Sequence, residues 1–139
     1  YTIKESKNTA ASFALLTSTF TRQNIKPKIS LPEFEKINAL VKKHHVGNTF
    51  DCLDGQKNLL ASAFVVQDTD SVYYLFGGYD TAFKDSGAMT FLLHHIIQDA
   101  QQRKLNFNFC GSSKKSIAAY FEGFGATKTE ISIWKKSIL

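Results

Sequence analysis

The sequence predicts an α+β domain in three layers, with a mixed central sheet and helices on both of its faces. A near-continuous apolar run, 59–66, has the length and composition of a strand in the middle of a sheet. Asp54-Gly55 is a tight-turn signal that joins this run to the segment before it. Farther along, apolar residues recur at helical spacing from Met89 to Ala100, between two strand-like segments. A helix in that place is a crossover, and within one sheet a crossover links parallel strands.

The elements are predicted in the order β-α-α-β-β-β-α-β-α-β. A first strand, 1–5, precedes a helix that Asn8-Thr9 can cap, and Ser30-Leu31-Pro32-Glu33 has the residues of a second helix start. The buried face of that second helix is predicted from its apolar positions, which are Phe34, Ile37, Leu40 and Val41. An antiparallel meander then follows, with strands at 49–53, 59–66 and 72–76.

The second half of the chain is predicted to organise the domain. Gly77-Gly78 closes the meander, and a helix begins at Gly87. A short strand at 107–110 is expected beside 72–76, parallel to it and diverging from it at the C-terminal end. A further helix ending at Gly123 and a last strand at 129–134 complete the order.

Length and composition indicate one ordinary globular domain spanning 1–139. No apolar run reaches the roughly 18 residues of a membrane span. Cys52 and Cys110 both lie in strand-like apolar surroundings, so we expect free core thiols in a reducing cytoplasm. A first residue other than Met suggests an excised segment. The net charge of +5 favours anionic partners such as phosphates, nucleotides or tRNA, but the lysines are scattered in pairs, which is typical of solvated surface charge.

The junction at 84–89 is the first candidate site. A strand that leads into a glycine-bearing helix N-terminus can bind an anion, because free backbone N–H groups and the helix dipole point at the ligand. The candidate residues are Lys84, which adds a positive charge, and Ser86, Gly87, Ala88 and Met89. The alternative interpretation is that Gly87 opens a turn and Lys84 is solvated.

Histidine and cysteine patterns do not predict a metal site or a thiol nucleophile. His94 and His95 are adjacent on a helix, so their side chains diverge by about 100°. Cys110 follows a single short strand and has no histidine placed beside it by the sequence. The prediction is therefore no metal and no covalent thiol chemistry.

The order of elements and the 84–93 stretch resemble the GNAT N-acyltransferases. The family's pyrophosphate loop reads Gln/Arg-x-x-Gly-x-Gly/Ala before a Leu-Leu pair, and Lys84-Asp85-Ser86-Gly87-Ala88-Met89 precedes Leu92-Leu93 in matching register. Met89 replaces the second glycine. The family's last helix carries Tyr-x-x-x-Gly-Phe, and here Phe121 takes the tyrosine position, with Tyr120 one residue away.

Two further stretches resemble the Fem-type aminoacyl transferases and the FemAB-like GNAT proteins. They read Phe107-Asn108-Phe109-Cys110-Gly111-Ser112-Ser113 and Phe121-Glu122-Gly123-Phe124-Gly125-Ala126. Proteins of that branch usually have two such domains, and this chain has room for one.

The resemblance implies an N-acyltransferase that moves an acyl or aminoacyl group from acetyl-coenzyme A, another acyl-coenzyme A or a charged tRNA to an amine. The amine acceptor is a small molecule or a peptide. It implies carbonyl polarisation by backbone N–H groups near Phe76-Gly77 and Cys110-Gly111, with Ser112 beside them. Tyr120 is the implied proton donor. No glutamate occurs in the fourth strand, and Tyr79 is the nearest titratable candidate there.

Two alternatives remain open. The chain is either such an enzyme or a binding module that keeps the fold without the chemistry. Whether this single domain is one half of a two-domain protein, and whether it forms a homodimer, also stays open.

Overall fold

A computed structural model describes residues 1–112 and 114–137 and confirms the predicted fold class. The elements are β1 (Thr2–Glu5), α1 (Thr9–Arg22), α2 (Leu31–Lys43), β2 (Gly47–Leu53), β3 (Leu59–Gln67), β4 (Ser71–Tyr79), a 3-10 turn (Thr81–Phe83), α3 (Ala88–Gln102), β5 (Asn106–Asn108) and α4 (Lys115–Glu122). Ser113, the last residue of the first Fem-like stretch, lies outside the described residues.

The strands form one mixed sheet in the order β1-β2-β3-β4-β5. The first three pairings are antiparallel, as the meander predicts, and β4 and β5 are parallel, with Val72 opposite Phe107. Their pairing ends at Tyr73 and Asn108, whereas β4 continues to Tyr79. The predicted pair of parallel strands is therefore confirmed, and beyond Tyr73 β4 has β3 beside it but no longer β5.

Helices cover both faces of the sheet. On one face, α3 packs Leu92, Ile96 and Ala100 against a cluster that includes Val65 and Val72. On the other face, Leu16 of α1 and Phe34 of α2 pack with Phe64. The phase of α3 follows the apolar spacing of the sequence, with Leu92 and Leu93 fully buried.

The α3 core gives the first testable expectation. Leu93→Ala and Ile96→Ala should each lower the free energy of unfolding by about 2–5 kcal/mol, since both side chains are buried and leave a cavity. His94 lies on the exposed face of the same helix. His94→Ala is therefore the matched control, and we expect it to change the free energy of unfolding little. Urea unfolding followed by circular dichroism measures all three, and equal losses would show that the helix faces the sheet differently.

The buried face of α2 differs from the prediction. The helix begins as expected, with Ser30 and Glu33 forming a capping box. Its buried residues, however, are Phe34 and Asn38, while Ile37 and Leu40 are 40% and 55% exposed. The reason is a polar contact that apolar spacing does not reveal: Asn38 Oδ1 accepts a hydrogen bond of 2.9 Å from buried Thr49.

Gly77 and Gly78 lie inside β4 and do not close it, contrary to prediction. A Cβ on Gly77 would meet the Tyr74 hydroxyl and the Met89 methyl group, and one on Gly78 would lie 1.8 Å from the carbonyl oxygen of Leu15. Both glycines therefore permit close packing within the strand and are not turn residues.

The predicted strand 107–110 is shifted and shorter, because β5 ends at Asn108. Cys110 and Gly111 have φ values of 59° and 72°, a left-handed backbone that cannot continue a strand. Cys52 is buried as expected, but Cys110 is exposed and is not a core thiol.

The prediction of a last strand at 129–134 is wrong, because this segment pairs with none of the strands β1 to β5. These residues form no strand, and Ile131, Ile133 and Trp134 are 84%, 81% and 92% exposed. Alternating apolar residues indicate which side chains would share a face, but a strand also needs a neighbour. Within residues 1–112 and 114–137, this segment has none.

Candidate active site

A β-bulge marks the centre of β4. Val65 pairs with Tyr74 and Phe64 pairs with Phe76, so Leu75 is an extra residue with no partner on β3. Tyr74 consequently joins the core under α3, whereas Phe76, two residues later, packs under α1 and α2. The bulge lies just beyond the last β4–β5 pair, and the sequence carried no signal for it.

The first turn of α3 presents free donors, as predicted. Gly87 is the N-cap residue in a left-handed conformation, with φ of 72°, and the first intrahelical bond is Phe91 N–H to Gly87 C=O, 2.9 Å. The Ala88 N–H donates to Ser86 Oγ at 3.2 Å. The N–H groups of Gly87, Met89 and Thr90 therefore remain without an intrahelical partner.

The space in front of this turn is open. Gly87 and Lys84 are exposed, and a Cβ added to Gly87 would have no atom within 4 Å. Lys84 ends the 3-10 turn that Asp80 caps. Met89, which replaces the family's second glycine, points the other way and packs against the core beside Gly77.

Tyr120 lies across this turn. Its Oη is 2.9 Å from Thr90 Oγ1, so α4 meets α3 at the third residue of that helix. Thr90 and Tyr120 line a cavity of about 480 Å³ together with His94, Gly123 and Phe124. Burial raises the pKa of Tyr120, the Thr90 hydrogen bond lowers it, and nearby Tyr79 raises it. The net shift is upward, so the phenol keeps its proton at neutral pH.

Phe121, at the position of the family's tyrosine, serves packing. Its ring stacks on Phe109 at 4.4 Å between ring centroids and meets Tyr74 edge-on at 6.1 Å. Phe107 and Phe124 complete this aromatic cluster around Phe109. The cluster packs α4 against β4 and β5. Burial of the Tyr74 side chain raises its pKa well above the usual phenol range.

Tyr79 ends β4 close to Tyr120. The guanidinium of Arg22, the last residue of α1, lies 5.0 Å from the centre of the Tyr79 ring. Helices from both faces of the sheet thus contribute side chains at this end of β4.

Gly111 and Ser112 lie in the loop between β5 and α4. The Cys110 N–H donates to Asn108 Oδ1 at 2.7 Å, and Ser112 Oγ accepts from the Lys114 N–H at 3.1 Å. The Cys110 N–H is therefore already bonded to the Asn108 side chain, and Gly111 has a left-handed backbone with φ of 72°. Cys110 is exposed as a residue, but its neighbours partly desolvate the thiol and raise its pKa, which disfavours a thiolate nucleophile.

The structure thus brings the α3 turn, Tyr79 and Tyr120 to one end of β4. Thr90 lines the cavity beside Tyr120 and was not identified from the sequence. In the part of the chain described, no three His, Cys, Asp or Glu side chains are grouped as metal ligands, and no helix is long and apolar enough to cross a membrane.

Comparison with known proteins agrees with this geometry. The family model for the acetyltransferase (GNAT) domain matches residues 13–121, well over half of the chain. No curated protein matches the sequence significantly.

Solved structures share the fold at low identity. A possible acetyltransferase from Clostridium difficile 630 has a TM-score of 0.77 and 8% identity, over 99% of this chain and 97% of that one. Glucosamine-6-phosphate N-acetyltransferase from Arabidopsis thaliana has 0.67 and 10%, over 98% and 99%. An aminoglycoside antibiotic 6′-N-acetyltransferase from Acinetobacter haemolyticus has 0.69 and 12%, over 100% and 99%. With the family model matching the bulged strand, the α3 turn and Tyr120 alike, the chain belongs to the acetyltransferase (GNAT) domain family.

Proposed function

We propose that this protein transfers an acyl group from a coenzyme A thioester, with acetyl-coenzyme A as the first choice, to an amine. The observation that carries the proposal is the contact between Tyr120 Oη and the first turn of α3. It joins a protonated phenol to an open, donor-rich helix N-terminus, so a proton donor and an anion site share one cleft.

The donor's pyrophosphate is assigned to the α3 turn. The N–H groups of Gly87, Met89 and Thr90 are the available donors, while Ser86 Oγ holds the Ala88 N–H and so shapes the turn. Lys84 adds a positive charge at the entrance. Because the Met89 side chain packs inward, its bulk leaves the phosphate side free, and the departure from the family motif is compatible with binding.

Thioester aminolysis then needs polarisation of the carbonyl group, loss of a proton from the amine and gain of a proton by the sulfur. The amine nitrogen attacks the acyl carbon, and the carbonyl oxygen gains negative charge. We assign the stabilisation of this charge to backbone N–H groups at the β4 bulge and at Gly111. The tetrahedral intermediate expels the thiolate, and Tyr120 gives the sulfur its proton. Tyr79 is the titratable group proposed to assist the loss of the amine proton.

An amine acceptor is supported by the solved neighbours. The sugar phosphate named in one and the aminoglycoside antibiotic named in another are amine-bearing molecules, although the low identity restricts the likeness itself to the fold. The two free thiols, Cys52 and Cys110, suit a reducing compartment, and we place the activity in the cytoplasm.

The Fem-type branch is the second candidate. The stacked pair Phe109 and Phe121 joins the two stretches that resemble it, and the net charge of +5 suits a tRNA-borne aminoacyl donor. In this form, 1–139 would be one half of a two-domain protein or of a homodimer. A catalytically degenerate binding module is favoured by the engaged Cys110 N–H and by the Tyr74 hydroxyl beside Gly77.

Tyr120→Phe tests the proposed chemistry. With acetyl-coenzyme A and a panel of amines, thiol release should show kcat falling roughly a hundredfold, since a positioned proton donor contributes at least that much. Donor affinity measured by calorimetry should not change, because the ring and its packing remain.

Tyr73→Phe is the matched control, because Tyr73 Oη donates to Asp68 outside the cleft. Equal kcat for the Tyr120→Phe and wild-type enzymes would exclude Tyr120 as the proton donor. Wild-type protein that binds no acyl-coenzyme A at millimolar concentration would leave the tRNA donor or the binding module, and retention of charged tRNA at low salt separates these two.

A further inference from the structure

Thr90 is the residue through which α3 holds Tyr120. It is the third residue of α3, it is exposed on the cavity side, and its Oγ1 lies 2.9 Å from Tyr120 Oη. Among residues 1–112 and 114–137, Tyr120 Oη has no other hydrogen-bond partner. Phe124 meets the Tyr120 ring edge-on at 5.3 Å between ring centroids, so apolar packing sets the position of the ring. Within the described residues, Thr90 alone makes a hydrogen bond with the phenolic oxygen.

We propose that Thr90 is a positioning residue for acyl transfer, whose hydroxyl donates a hydrogen bond to Tyr120 and aims the phenolic proton at the departing sulfur. The proposal rests on the function proposed above, in which Tyr120 is the proton donor. Thr90 itself touches neither sulfur nor carbonyl carbon.

The direction of the hydrogen bond follows from the proton count. A phenol has one proton, and if Tyr120 donated it to Thr90 it would point away from the thiolate. With Thr90 as donor, the Tyr120 oxygen accepts one hydrogen bond and its own proton is free for the sulfur. After transfer, the S–H bond has formed, the O–H bond of Tyr120 has broken, and the phenolate oxygen keeps the Thr90 hydrogen bond. Solvent in the cavity beside His94 then returns a proton to the phenolate.

The same bond stabilises the phenolate more than the phenol, since a hydrogen bond to a charged oxygen is the stronger kind. Removing it should make the phenol harder to ionise. Proton transfer to the sulfur should then slow, while donor binding, which depends on backbone N–H groups and Lys84, should not change.

The test compares Thr90→Val, which keeps the shape and removes the hydroxyl, with Thr90→Ser, which keeps the hydroxyl. Tyrosinate absorbance is titrated for each protein with and without Tyr120→Phe, and the difference isolates Tyr120. We expect Tyr120 of Thr90→Val to ionise at higher pH than in the wild type and Thr90→Ser to follow the wild type. An unchanged or lower midpoint in Thr90→Val would overturn the hydrogen bond and the proposal with it.

Steady-state kinetics with acetyl-coenzyme A provide the second reading. Thr90→Val should lower kcat about threefold to tenfold with KM for the donor unchanged, and Thr90→Ser should restore kcat. A rise in KM alone would assign Thr90 to donor binding and overturn the positioning role.

The two proposals fail in different ways. A wild-type enzyme that is active and loses kcat on Tyr120→Phe, with Thr90→Val indistinguishable from wild type, would overturn only the role of Thr90. A wild type that acylates no amine would overturn the proposed function and the catalytic part of this inference, and the titration would still decide whether Thr90 donates to Tyr120.

Discussion

Gly78→Ala should lower the free energy of unfolding by about 3 kcal/mol, at the upper end of the usual cost of overpacking. The added Cβ would lie 1.8 Å from the carbonyl oxygen of Leu15 and 2.7 Å from its carbonyl carbon. These are backbone atoms in the middle of α1, so no side-chain rotation can relieve the contact. Either α1 moves away from the sheet or β4 distorts, and both loosen the core around Leu16 and Phe64.

Gly55→Ala is the control for this experiment. Gly55 lies in the β2–β3 turn, and an added Cβ there has no atom within 4 Å. It removes the same glycine flexibility from the unfolded chain without a clash, so we expect little change or a slight gain. Urea unfolding of the two variants provides the comparison. A stability loss in Gly78→Ala no greater than that in Gly55→Ala would mean that α1 does not lie this close to β4.

Gly87→Val should nearly abolish donor binding. Gly87 has φ of 72°, and the space around it is the space proposed for the pyrophosphate. A β-branched side chain strains this backbone and stands among the N–H donors of the α3 turn. Calorimetric titration with acetyl-coenzyme A should therefore show no measurable heat at concentrations that saturate the wild type.

Two controls separate strain from obstruction. Gly125→Val has a comparable φ of 83° and equally open surroundings, so it reproduces the backbone cost outside the turn and should keep donor affinity. Lys84→Ala removes charge without adding bulk, and its loss should be a few-fold and should shrink as salt rises, because Lys84 is exposed. A Gly87→Val protein that is folded and binds acetyl-coenzyme A like wild type would exclude this turn as the donor site.

How far the sequence predicts this structure depends on the range of the interaction concerned. The α2 capping box is local, involving Ser30 and Glu33 three residues apart, and the sequence predicts it correctly. The parallel β4–β5 pair follows from connection rules and is also correct. The prediction that Ile37 and Leu40 are buried is wrong, because Asn38 accepts a hydrogen bond from Thr49 on a different element.

The candidate site divides in the same way. The position of Gly87 at the α3 N-terminus can be predicted from a strand, a glycine and a helical periodicity that follow one another along the chain. In the structure Gly87 is the N-cap residue of α3. The partner of Tyr120 does not follow, since Thr90 is thirty residues away and meets it only through the packing of α4 on Phe109. The interpretation of Gly77-Gly78 as a strand end fails because their neighbours, Met89 and Leu15, are distant in sequence.

The extra residue at Leu75 determines which single-residue deletion this strand can accommodate. Tyr74 on one side of the bulge packs under α3, and Phe76 on the other packs under α1 and α2. Consecutive residues of a regular strand point to opposite faces, so deleting Leu75 would leave Tyr74 and Phe76 opposite the same β3 residues and on the same faces as now. Deleting a residue elsewhere in β4 would instead shift part of the strand by one residue and turn those side chains to the opposite face. Deletion of Leu75 should therefore be better tolerated than deletion of any other residue in the middle of this strand.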